Sequence, residues 1–401
     1  MKKMRLTTFV MAIKNLKKRS FRTKGLIAIT AVLAFTIFCG ALLSESLRLG
    51  KNYMSGRMGA DIMVVPRGCA LQLQNTLLRS ESNTFYMSEN LEDRILEMPG
   101  VEKVSPQLYI GSLNASCCTV PVQLIGFDPT TDFTIRSWMT KIDSSELGFG
   151  EVVIGSRVNA AIGSDIWLFG QPLKVAATLD DTGMGFNSSV FMTIDTAKHM
   201  IETSQEAAVH PAGSGKEPVS ALFIKLTNDS DASKIGKIIL NKYPQTDVVI
   251  LDEMMDNIKS QVKNIKILAY SIQGLLWAAA VIILIVIYEF AANERKREFG
   301  LLLVIGATRQ KLESMLMTET LIISFWGAFL GASTASLIMF EFRMLIAISL
   351  GIPYMHPTIG QTMRLAAMSI VISLLTGIIA CIFSIKRIEH FETHIMIREY
   401  E

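Results

Sequence analysis

The sequence predicts an α-helical membrane protein: four transmembrane helices plus one α+β domain outside the cytoplasm. Three observations predict it. Half of the 401 residues are hydrophobic. The apolar residues gather into four charge-free or nearly charge-free runs, at 26–43, 267–288, 320–340 and 365–385, and a helix needs roughly 20 such residues to cross about 30 Å of hydrocarbon. The interval between the first two runs is of mixed composition and long enough to bury a core of its own.

Charge supplies an orientation. Net charge is only +3, yet residues 1–25 carry nine Lys/Arg and no acid. Such an arm suits nucleic acid, but directly before an apolar span it is the positive-inside signal, and no nucleic-acid partner is expected. Cytoplasmic termini follow. The 289–314 loop, with Arg295, Lys296, Arg297, Arg309 and Lys311, and the tail, with Lys386, Arg387 and Arg398, agree in sign, whereas the 341–364 loop holds only Arg343 and Arg364. The first span reads as a retained anchor, because its basic flank and apolar run are long for a signal peptide and no A-x-A-like site follows it.

In the large domain, β-like runs at 61–65, 120–127, 151–154, 173–179 and 219–226 alternate with helical patterns at 91–98 and 232–241. Residues 252–266 are polar but place Met255, Ile258, Val262 and Ile265 at helical intervals, which predicts a stalk continuous with the second span.

The chemistry-bearing patterns are weak. The GSGK at 213–216 is no phosphate-binding loop, since the motif's first Gly position falls on His210 and its final hydroxyl position on Glu217. His390 and His394 lack the Glu that a zinc protease places directly after the first His. Residues 180–185 offer too few oxygens for calcium and read as a turn. Of five cysteines, Cys39 and Cys381 lie in spans. Cys69, Cys117 and Cys118 lie outside and form no disulfide framework, although one bridge is compatible with an oxidising compartment. These three are the minor candidates for a soft-metal or haem site, against the plainer reading of small buried hydrophobes, and the expectation is no metal. In the third span, Gly327 and Gly331 make a small-xxx-small pair that serves either packing within the chain or a dimer seam. Glu319 lies near the inner edge of that span, where a structural ion pair is expected over proton transfer.

One motif is specific. Residues 293–309 read NERKREFGLLLVIGATR, followed by Glu319. This resembles the signature of FtsX-like permeases, ER-x-x-E-x-G, an apolar stretch with I-G-A-[ST]-[RK], and a Glu about ten residues on. Residues 12–22 (AIKNLKKRSFR), 59–66 (GADIMVVP), 99–106 (PGVEKVSP) and 123–128 (QLIGFD) also resemble parts of MacB-like permeases, while the 386–396 tail departs from the family's usual ending. The resemblance implies that the segment between the second and third spans docks a cytoplasmic ATPase, through Glu294, Arg295, Arg297, Glu298, Gly300, Gly306 and Arg309. On composition alone, the same segment reads as a membrane-surface helix.

The domain plan is therefore a basic cytoplasmic segment (1–25), the first span (26–44), an extracytoplasmic α+β domain of MacB-like periplasmic-core type (45–252), a stalk with the second span (253–288), a coupling segment (289–314), the third span (315–340), a short outer loop (341–364), the fourth span (365–385) and a cytoplasmic tail (386–401). The resemblance implies the non-enzymatic permease subunit of an ABC transporter in the cell membrane, driving export or extraction. ATP and magnesium would be bound by a separate ATPase subunit, and the permease would pair with itself or a related permease. The alternative is an FtsX-like regulator that transmits motion to an extracytoplasmic partner such as a cell-wall hydrolase.

Overall fold

The computed structural model describes residues 8–88, 91–112, 122–139, 147–203, 218–294, 301, 304, 305 and 308–398. The chain divides into a membrane unit, residues 1–45, 264–342 and 357–401, and a globular unit, residues 46–263 and 343–356.

Helix α1 (Thr8–Lys18) is separated by Arg19 alone from α2 (Ser20–Arg57). Helix α7 (Leu251–Glu294) runs 44 residues, so the polar 252–266 stretch and the second apolar run form one helix. The other long helices are α8 (Arg309–Glu341) and α10 (Ile359–Arg398). Among the described residues these four are long and apolar enough to cross a membrane.

Leu26 of α2, Leu284 and Tyr288 of α7, Ile323 of α8 and Ala380 of α10 share one apolar cluster. Outward lie Leu275, Ile282, Phe325, Phe329, Leu375 and Ile379. Apolar side chains facing out around helices whose backbone groups are satisfied internally is the arrangement hydrocarbon requires. Polar side chains turn inward: Ser324, Ser369, Ser373, Thr376 and Ser384 are all buried. A Cβ on Gly377 would lie 2.2 Å from Ser324 Oγ, so small residues set the close approach of α8 and α10. Between α7 and α10, Trp277 Nε1 donates to Thr376 Oγ1 at 3.0 Å.

The globular unit is built on a mixed nine-stranded sheet. In chain order its elements are β1 (Ile62–Pro66), α3 (Ala70–Arg79), β2 (Met87–Ser88), α4 (Leu91–Leu96), β3 (Val101–Ser112), β4 (Val122–Phe127), β5 (Glu151–Ile154), β6 (Asp165–Leu168), β7 (Gln171–Thr178), β8 (Ser189–Thr193), α5 (Ile194–Thr203), β9 (Pro218–Val219), β10 (Ala221–Leu226), α6 (Ala232–Lys242) and β11 (Thr246–Ile250). The sheet order is β11-β1-β10-β3-β4-β8-β5-β7-β6, with β2 and β9 as a separate pair. β4 with β8 and β5 with β7 are parallel, and the other neighbours antiparallel.

Two cores lie on this one sheet. Ile62, Val64, Val104, Leu222 and Ile224 meet Leu91 and Ile95 of α4 and Ile235 and Ile239 of α6. Leu108, Ile110, Leu124, Val152, Val175, Val190 and Met192 meet Ala197 and Met200 of α5. Strand β3 belongs to both, Val104 to the first core and Leu108 to the second, and so joins them. Asp231 caps α6 by accepting from the Ser233 and Lys234 amides at 3.0 and 3.3 Å.

Residues 343–356, expected only as a short loop, contain a helix, α9 (Arg343–Leu350), and belong to the globular unit. Gly351 (φ +58°) ends it, its amide bonding the Ala347 carbonyl at 3.2 Å. Beyond it, Tyr354 N donates to Gly183 O at 3.0 Å and Met355 N to Ser46 O at 3.2 Å. Residues 180–185 do form a turn. Asp181 Oδ1 accepts from the Gly183 amide and from Asn187 Nδ2, whose own Oδ1 holds the Thr182 amide and hydroxyl at 2.8 Å.

Candidate functional site

The segment between the second and third spans starts where α7 ends. Glu294, its last helical residue, has a half-exposed side chain whose Oε2 lies 2.7 Å from Arg19 Nη1 and 3.6 Å from Arg22 Nη1. Arg295, Arg297, Glu298, Gly300 and Gly306 lie outside the described residues. Of those described, Leu301, Val304 and Ile305 are 64%, 87% and 79% exposed, and Ile305 N donates to Leu301 O at 3.1 Å, as in a helical turn. Three apolar side chains three and four positions apart thus lie open to whatever covers this part of the chain. Arg309 opens α8 and is exposed, behind Thr308, which sits at the N-cap with extended backbone.

Ten residues further, Glu319 is buried, 5% exposed, and its Oε1 accepts from Asn15 Nδ2 at 3.0 Å. An ion pair was expected at this acid; Asn15 gives it an amide hydrogen bond from α1, which packs along α8 with Ala12 fully buried. Glu319 also borders a cavity of about 30 Å³ shared with Arg22, Tyr288, Thr320, Cys381 and Ser384, roomy enough for water.

Gly327 and Gly331 face the first span. A Cβ on Gly327 would fall 1.8 Å from Thr30 Oγ1 and 2.8 Å from the Ile27 carbonyl oxygen, and one on Gly331 would fall 2.1 Å from the Ala31 carbonyl oxygen. Of the packing alternatives left open by the sequence, this face is used within the chain.

Cys69 precedes α3, half-buried, and burial together with nearby Asp247 raises its thiol pKa. A protonated thiol is a poor metal ligand and nucleophile. Cys117, Cys118 and the 210–217 stretch lie outside the described residues, and among those described no cluster of three or more His, Cys, Asp and Glu is placed to hold a metal. His390 and His394 lie on α10.

Sequence reasoning missed the partners of the two acids. Arg19 and Arg22 were counted in the basic flank, and all three residues in the 12–22 stretch that resembles the family's entry helix; their 4- and 3-residue spacing, which puts them on one helical face, was legible.

Residues 270–392 match the family described as FtsX-like permease C-terminal. No curated protein matches the chain. Among solved structures, the periplasmic region of MacB from Actinobacillus actinomycetemcomitans aligns with 11% identity and TM-score 0.34, over 53% of this chain and 96% of that one. The extracellular domain of the noncanonic ABC-type transporter YknZ from Gram-positive bacteria aligns with 13% identity and TM-score 0.31, over 47% and 98%. The inter-span segment, Glu319 and the glycine pair all lie in the region that the FtsX-like permease C-terminal family matches.

Proposed function

We propose that this chain is the membrane-spanning subunit of an ABC transporter, coupled to a separate ATPase that docks on the 289–314 segment. Both termini and that segment lie in the cytoplasm, and the globular unit lies outside. Nucleotide-driven movement of the docked ATPase passes through the spans to the globular unit, for export or extraction of a substrate. ATP and magnesium belong to the partner, and two permease subunits, identical or related, share one ATPase dimer.

The observation that carries this reading is the exposure of Leu301, Val304 and Ile305 at a charged turn inside the family-matched region. An apolar cluster rimmed by charge is the usual form of a docking site. The test is the Val304→Asp, Ile305→Asp chain in lipid nanodiscs, mixed with the ABC ATPase subunits encoded beside it. Because both side chains are exposed, its thermal stability should match that of the native chain. Its stimulation of ATP hydrolysis should fall by about tenfold or more, as for loss of a central contact. Undiminished stimulation would set the docking assignment aside.

A further inference from the structure

We propose that the junction of α1 and α2 braces the coupling segment from both sides, with Arg19 and Arg22 holding Glu294 before it and Asn15 holding Glu319 after it. The proposal rests on the docking reading and assigns these three as positioning residues for it. All the groups involved belong to the membrane unit.

The segment leaves α7 at Glu294 and enters α8 at Arg309. Its two flanking helices share no covalent constraint other than the segment itself. The 15–22 stretch adds a non-covalent one. Asn15, Arg19 and Arg22 present one face, with Asn15 reaching Glu319 at 3.0 Å and Arg19 reaching Glu294 at 2.7 Å. The helix continues through the junction, since Arg19 N bonds Asn15 O at 3.2 Å and Thr23 N bonds Arg19 O at 3.1 Å. The two anchor points are thus held at a spacing set by a helix. On the same stretch, Lys14, Lys17 and Lys18 are exposed, available to phosphate headgroups.

Stability alone is a poor account of the Glu294 contact. A half-exposed ion pair contributes little to folding. The two guanidiniums, however, are largely buried, at 24% and 19% side-chain exposure, and approach the same carboxylate oxygen. That geometry fixes direction more than energy. It also changes what Glu294 offers a partner: an acid already engaged by two arginines is held by them, so its role is to hold the segment's end in place.

The experiment compares three chains in nanodiscs: native, Glu294→Arg, and the inverted triple Arg19→Glu, Arg22→Glu, Glu294→Arg. Stimulated ATP hydrolysis is titrated with the ATPase subunits encoded beside the chain, and monodispersity and melting temperature report folding. Glu294→Arg, which sets three like charges together, should raise the chain concentration for half-maximal stimulation by about tenfold while leaving the plateau. The inverted triple should return to within about threefold of native. A purely structural role would instead lower the plateau together with the folded fraction. If the triple stays as weak as Glu294→Arg, Glu294 touches the ATPase itself and the brace is wrong. If Glu294→Arg behaves as native, the brace is also wrong. A native chain that stimulates no ATPase would instead overturn the docking reading on which the brace depends, an outcome distinct from either.

Discussion

A Gly331→Leu chain is expected to lose the packing of α8 on α2, with a fall in melting temperature of about 10 °C in detergent or nanodiscs. The reason is steric and local. The glycine's Cβ position lies 2.1 Å from the Ala31 carbonyl oxygen and 3.0 Å from Ala31 Cα, so the obstacle is backbone, which cannot rotate aside. Overpacking a close contact costs typically 1–3 kcal/mol and occasionally more. In a bilayer, small residues at the seam are the main source of helix association, because lipid supplies no hydrophobic drive. Gly274 provides the control: it lies in α7, and an added Cβ would meet nothing within 4 Å. Gly274→Ala should leave stability unchanged or raise it by about 0.5–1 kcal/mol, since alanine loses less entropy in a helix. Equal melting temperatures for Gly331→Leu and Gly274→Ala would show that the seam does not depend on the glycine.

The second large effect is expected at Trp138. It is fully buried, with its ring 6.1 Å from that of Tyr53 and the Arg57 guanidinium 5.5 Å above it. Arg57 also lies 3.7 Å from Asp180 Oδ2, and the Asp180 amide bonds the Trp138 carbonyl at 3.3 Å. Trp138 is thus the packing centre that fastens the end of α2 to the rest of the globular unit. Replacing it with alanine should cost about 3–5 kcal/mol. Hydrogen exchange is the suitable measurement, because the loss is local first: amides of 46–57 should lose protection ahead of the β10 and β3 strands. Trp138→Phe keeps a ring against Arg57 and should recover much of that protection. Uniform loss across the unit would show that Trp138 belongs to the central core instead.

How far the sequence foretold this structure depends on the kind of signal each element carries. Spans announce themselves by length and missing charge, so all four were legible, as was the continuation of 252–266 into α7 through Met255, Ile258, Val262 and Ile265. Strands with a compact apolar run, such as 151–154 and 221–226, were legible for the same reason. Strand β3 was not. Its 12 residues include Pro106, which argues against a strand interior; it is tolerated where the β4 register is only about to begin, at Gln107 opposite Phe127. Helix α9 was hidden because RMLIAISL is apolar nearly all round, which leaves no polar face for a helical period to show.

In the site, the segment was legible as a motif and its supports were not. A run of basic residues gives one averaged message, positive-inside, and masks the fact that Asn15, Arg19 and Arg22 have partners 272 to 304 positions away. The glycine pair was legible as a seam, but its occupant was not, since small-xxx-small fixes the closeness of an approach and leaves the approaching helix open.

The central claim is that a separate ATPase docks on the segment between the second and third spans. Its most direct measurement is site-specific photo-cross-linking from position 304 in nanodiscs, with the ATPase subunit at saturating concentration. The account predicts a covalent adduct between position 304 and the ATPase, with a yield that changes when ATP is added. Adducts with lipid alone would contradict it.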